Sequence, residues 1–153
     1  MNNFKKTHKL PFKYEIPHYI DDFVKQRGLF KLWIKCFKRY LFIILNGQRG
    51  LEVFTILPRH QDILWINLSA PSFGDSLMDL SSRELLKGKN IDLFTTERIA
   101  EIYRNDQRFN QVYSNIGLAS KNNYNLVIVD SYGSRSIKAK CHIAPKVDFI
   151  GMY

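Results

Sequence analysis

The chain has 153 residues, of which 45% are hydrophobic and 14% aromatic, and a formal net charge of +9. This length leaves room for one domain, or one domain with an arm, and the apolar content excludes disorder throughout. The charge is lopsided: residues 1–60 hold 12 Lys/Arg against 4 Asp/Glu, a balance of +8, whereas residues 61–153 hold 11 against 10, a balance of +1.

In chain order, residues 1–17 are polar and basic, interrupted by Pro11 and Pro17, and read as a loosely ordered arm. Residues 18–45 read as helical. Asp21 and Asp22 favour the first turns through the helix dipole, and Gly28 is a break between two helices. In the second of these, Lys31, Lys35, Lys38 and Arg39 share one face, and Phe30, Trp33, Ile34, Phe37, Leu41 and Ile44 cover most of the rest. Four cations inside the run Leu29 to Leu45 argue against a membrane span. Three readings of this helix stand open: docking on anionic lipid, packing on the domain that follows, and nucleic-acid binding. The last has no accompanying motif, and no nucleic acid is expected as a partner. Asn46-Gly47 is a helix stop.

Residues 51–57 have strand character and end at Pro58. From Asp62 onward strands and helices alternate. Strands are predicted at 63–68, 91–95 and 125–130, with weaker ones near 111–115 and 147–152. Helices are predicted at 75–87, 96–105 and 134–141. This spacing predicts an α/β chain with a mostly parallel sheet over 61–153, preceded by a basic, largely helical extension over 1–60. The apolar run Leu126-Val127-Ile128-Val129 fits a strand buried on both faces. Residues 147–153 look like a strand newly begun, so the sheet reads as truncated or as completed by another chain.

Asp75 follows the first strong strand at the mouth of a small-residue loop, where α/β enzymes place chemistry. By pattern alone a helix N-cap is the commoner role for an Asp in this place. Ser69, Ser72 and Gly74 offer hydroxyl and N–H groups to a polar ligand, or form an ordinary turn; one glycine makes a weak phosphate cradle. Asp130, Ser134 and Arg135 sit at the end of another strand. Either Arg135 pairs with a phosphate or carboxylate of a ligand, or Asp130 or Ser134 caps the next helix and Arg135 is solvated. Glu97, Arg98, Glu101 and Arg104 read as a solvated helix face. The four histidines have no ligand spacing, so no metal site is expected, and no cofactor. Cys36 and Cys141, far apart, suit free thiols in a reducing compartment, and no secretory leader is read at the start.

Three blocks, LSA…GDSLMDLSSRELL, NIDLFTTERIAEIYRNDQRFNQVY and YNLVIVDSYGSRS, together resemble the lipopolysaccharide heptosyltransferases of the ninth glycosyltransferase family, over about residues 62–153. The loop departs from the usual pattern: Pro71, Ser72 and Phe73 stand between Ala70 and Gly74, where the family usually has one residue. The resemblance implies the Rossmann-like, acceptor-holding N-terminal half of a two-domain GT-B enzyme that moves heptose from an ADP-sugar to the lipopolysaccharide inner core without a metal. It assigns Asp75 as the general base and brings Ser72, Gly74, Asp130, Ser134 and Arg135 toward the acceptor. It implies a cytoplasmic location, peripheral at the inner-membrane face. Nothing in the sequence corresponds to the nucleotide-sugar half, so the alternative expectation is a non-catalytic fragment or a membrane- or acceptor-binding module.

Overall fold

A strand such as Ile63-Leu64-Trp65-Ile66 has no polar face, so it is stable only where both sides are covered. In the computed structural model, which describes residues 29–70, 72–130 and 134–151, this segment lies in the central strand of a five-stranded parallel sheet. The elements of this unit are β1 (Asp62–Asn67), α2 (Phe73–Ser81), β2 (Asn90–Thr95), α3 (Glu97–Tyr103), β3 (Gln111–Tyr113), α4 (Ile116–Ala119), β4 (Leu126–Val129), α5 (Ser134–Ile143) and β5 (Phe149–Gly151). A 3-10 turn, Ser82–Leu86, continues α2. The strand order is β3-β2-β1-β4-β5. The register places Ile63 opposite Ile91 on one side and Leu126 on the other.

Alternation along each strand splits the core into two layers. Ile63 and Trp65 of β1, Ile91 and Leu93 of β2, and Leu126 and Ile128 of β4 pack with Leu80 of α2 and with Ile99 and Tyr103 of α3. The intervening residues Leu64, Ile66, Val127 and Val129 are equally buried, and α5 packs against β1 and β4. Burying a side chain of this size stabilises by roughly 1.5–3 kcal/mol, so the central strands dominate the energetics.

The helix α1 (Leu29–Leu45) belongs to a separate compact unit, residues 1–47; the sheet unit is 48–153. α1 ends as its sequence requires. Gly47 takes a left-handed φ of 65°, and the Asn46 and Gly47 N–H groups close on the carbonyls of Phe42 and Ile44. The arm 1–17, the first helix with Asp21 and Asp22, and the break at Gly28 lie outside the described residues.

Two expectations change. Residues 51–57 do not form a strand. Only Glu52 bridges to Phe149, with the Val53 N–H on the Phe149 carbonyl at 2.8 Å, and Phe54 is 63% exposed. β5 is three residues long, so it offers this segment one pairing site rather than a ladder. The helix α4 was not expected. It is a single turn started by Asn115, whose side chain accepts from the Gly117 and Leu118 N–H groups. Residues 48–60 belong with the sheet, since the buried Gln48 donates to the Pro145 carbonyl at 3.0 Å. The polar face of α3 is exposed, with Arg104 pairing Glu97 at 2.6 Å.

Candidate functional site

β2 and β3 extend the sheet to one side of β1, and β4 and β5 to the other, so the strand order reverses between β1 and β4. Ligand crevices of parallel α/β sheets lie beyond the carboxyl ends of the strands at this reversal. The segments leaving β1 and β4 there are Leu68–Ala70 and Asp130.

Asp130 spans the reversal. Its Oδ2 accepts the backbone N–H groups of Leu68 at 2.7 Å and Ser69 at 2.5 Å. Its Oδ1 accepts the Ser136 hydroxyl at 2.6 Å, and the Ser136 and Ser69 hydroxyl oxygens lie 3.3 Å apart. The carboxylate expected to face an acceptor therefore holds the end of β1 against the first turns of α5. Ser134 opens α5; its side chain, and residues 131–133, lie outside the described residues. Arg135 is exposed in the first turn of that helix.

Ser72, and not Asp75, is the N-cap of α2. The Ser72 hydroxyl accepts the Asp75 N–H at 3.3 Å and donates to Asp75 Oδ2 at 2.6 Å, a local box that fits Ser-x-x-Asp spacing. Asp75 is exposed in the first helical turn, where the dipole favours a negative charge. Its Oδ1 has no partner among the described residues. Gly74 is not required sterically: an added Cβ would meet only Ser72 Oγ, at 3.8 Å.

A buried polar cluster behind this turn went unread in the sequence. Asn67, the last residue of β1, donates to Asp79 Oδ2 at 2.9 Å and accepts from the Ser76 hydroxyl at 2.8 Å; its carbonyl accepts from the Thr95 hydroxyl at 2.7 Å. Burial pushes the Asp79 carboxyl above the usual range, the Asn67 hydrogen bond pulls it back, and the charges of Asp130 and Asp75 push it up again. Its signals were an asparagine closing an apolar strand and a second acid one helical turn after Asp75. Three carboxylates thus share this edge. Two are turned into the protein, and Asp75 faces solvent.

Among the described residues no group of three or more His, Cys, Asp or Glu side chains could hold a metal ion, and no helix is long and apolar enough to cross a membrane. Cys141 is a free, half-buried thiol, and burial pushes it up. No family model, curated protein or solved structure matches the chain.

Proposed function

We propose that the chain is the acceptor-side half of a glycosyltransferase. The sequence resemblance points to heptose as the sugar moved, an ADP-sugar as donor and lipopolysaccharide inner core as acceptor. The observation that supports this reading is the exposed carboxylate of Asp75, at the first helix turn after β1, beside the reversal in strand order. In this reading Asp75 accepts the proton of an acceptor hydroxyl as that oxygen bonds to the anomeric carbon. The sugar–diphosphate bond breaks, and the diphosphate leaves with a donor half supplied by further polypeptide. Ser72 orients the carboxylate through its hydroxyl, and Arg135 stands ready for an anionic group on the acceptor.

The test is transfer from ADP-heptose to heptose-deficient lipopolysaccharide. Asp75→Asn is expected to lower the rate by about 10²–10⁴-fold, the usual worth of a general base. Undiminished transfer would remove Asp75 from the mechanism. A second reading is a binding module that retains only the acceptor contacts. It is favoured by the commitment of Asp75 Oδ2 to the capping box. Acceptor binding without transfer, unchanged by Asp75→Asn, would select it.

The same reading puts the chain on the cytoplasmic face of an inner membrane, with α1 on anionic lipid. α1 carries Lys31, Lys35, Lys38 and Arg39 and no acid, and exposes Phe30, Leu41, Ile44 and Leu45. Flotation with vesicles containing phosphatidylglycerol, and not with neutral ones, is the expected result.

A further inference from the structure

Toward the amino ends of the strands, away from Asp75, a cleft of ≈ 400 Å³ opens between the starts of β1 and β2 and the loop that precedes β4. Its floor is Asp92, a 5% exposed carboxylate in the middle of β2. Asp92 Oδ1 accepts from the Asn110 amide at 3.2 Å; Oδ2 accepts from the Asn122 amide at 2.9 Å and the Tyr124 hydroxyl at 3.0 Å. At the rim, Asn90 donates its amide to Asp62 Oδ1 at 2.9 Å.

These bonds decide what the cleft can still do. Asn90 and Asn110 each give one amide N–H to a carboxylate, and Asn122 gives its two to Asp92 and to the Tyr113 hydroxyl at 2.8 Å. The amide oxygens of these three asparagines and Asp62 Oδ2 remain without partners among the described residues. The lining therefore presents free acceptors beside the remaining N–H groups of Asn90, Asn110, Asn123 and Lys121, and suits a ligand whose groups both donate and accept. Inorganic anions are disfavoured by two carboxylates. A divalent metal lacks ligands, because Asp92 is saturated by three donors and no third acid is present. An apolar guest would meet one aliphatic lining residue, Ile63. A second cation would compete with Lys121, which lines the same cleft. What fits is a neutral molecule carrying several adjacent hydroxyls.

We infer that this cleft is a binding site for a polyhydroxylated neutral ligand, a sugar or cyclitol, at the edge of the sheet opposite the proposed reaction site. Donors on adjacent hydroxyls would engage Asp62 Oδ2 and the Asn90 and Asn110 amide oxygens. Asn123 and Lys121, both exposed, flank the entrance.

The probes are myo-inositol and methyl α-mannoside, titrated into the full chain labelled with nitrogen-15. Saturable shifts of the Asn90, Asn110 and Asn122 side-chain amides are expected in the millimolar range, and they should persist as salt rises from about 50 to about 300 mM. Asn123→Trp fills the cleft from a position outside every hydrogen bond above and should weaken binding by about tenfold or more. Lys121→Trp gives the same readout independently. The absence of saturable shifts up to about 100 mM overturns the site. So does binding that both tryptophan variants leave intact. A preference for putrescine that fades with salt overturns the neutral ligand. Asp75→Asn should leave these shifts unchanged, so this site and the transfer reaction stand or fall separately.

Discussion

At the carboxyl ends of the strands Asp130 gathers two backbone N–H groups and one hydroxyl, whereas Asp92, toward the amino ends, gathers two amides and a phenol. Both carboxylates have the three donors that a buried charge needs. The difference is in what happens when the acid is removed. Backbone N–H groups cannot turn away, and side chains bordering a cleft can rotate toward water. One edge is clamped and the other is open to exchange, so their removal should differ in cost.

The largest effect is expected for Asp130→Ala, which orphans the Leu68 and Ser69 N–H groups. It should cost about 3–5 kcal/mol in urea unfolding. Asp92→Ala should cost less, about 2–3 kcal/mol, because Asn110, Asn122 and Tyr124 can find solvent. Equal losses would break the comparison.

A third buried charge lies under neither edge. Lys140 of α5 is fully buried, bonded to Gln48 Oε1 and stacked over the Phe149 ring at 5.1 Å. Burial pulls its ammonium down to about 8, and Cys141 and Asp148 oppose the fall. The folded value lies below the unfolded one, so the charged form penalises the fold most below pH 8. Stability should therefore rise as pH climbs from 8, by up to about 3 kcal/mol in total. Burial raises Cys141, Tyr113 and Tyr124, so these groups lose stability at higher pH and blunt the gain beyond pH 9. Thermal melts between pH 7 and 9 should show the rise in the wild type and not in Lys140→Met.

Two small effects sharpen the reading of the α2 turn. Ser72→Ala removes the cap and should cost about 1 kcal/mol. Gly74→Ala makes only an ordinary contact with Ser72 Oγ in a helical turn and should stabilise by about 0.5–1 kcal/mol. A loss on Gly74→Ala would show that the turn needs its glycine.

Much of the fold was legible because the sheet is parallel. Strands buried on both faces appear as unbroken apolar runs, and β1, β2 and β4 fall within a residue or so of their predicted bounds. The segment 51–57 misled because strand propensity says nothing about whether a partner edge is long enough to pair. α4 was hidden by its brevity: a single turn has no periodicity to read. At the site, Asp75 was legible as a polar residue at a strand-to-helix turn. The cap belongs to Ser72 because the helix begins at Phe73, two residues before Asp75. Asn67, Asp79 and Asp92 were missed for a common reason. Each lies within an apolar or helical pattern, and only the third dimension shows which donors reach it.

The clamp at the reversal has one more consequence. In dinucleotide-binding folds the turn after the first strand turns its amides outward and receives a diphosphate. Here the protein's own carboxylate already fills the place of that guest, and Asp75 and Asp79 stand beside it. A nucleotide arriving at this turn would find the Leu68 and Ser69 N–H groups already taken and its charge opposed.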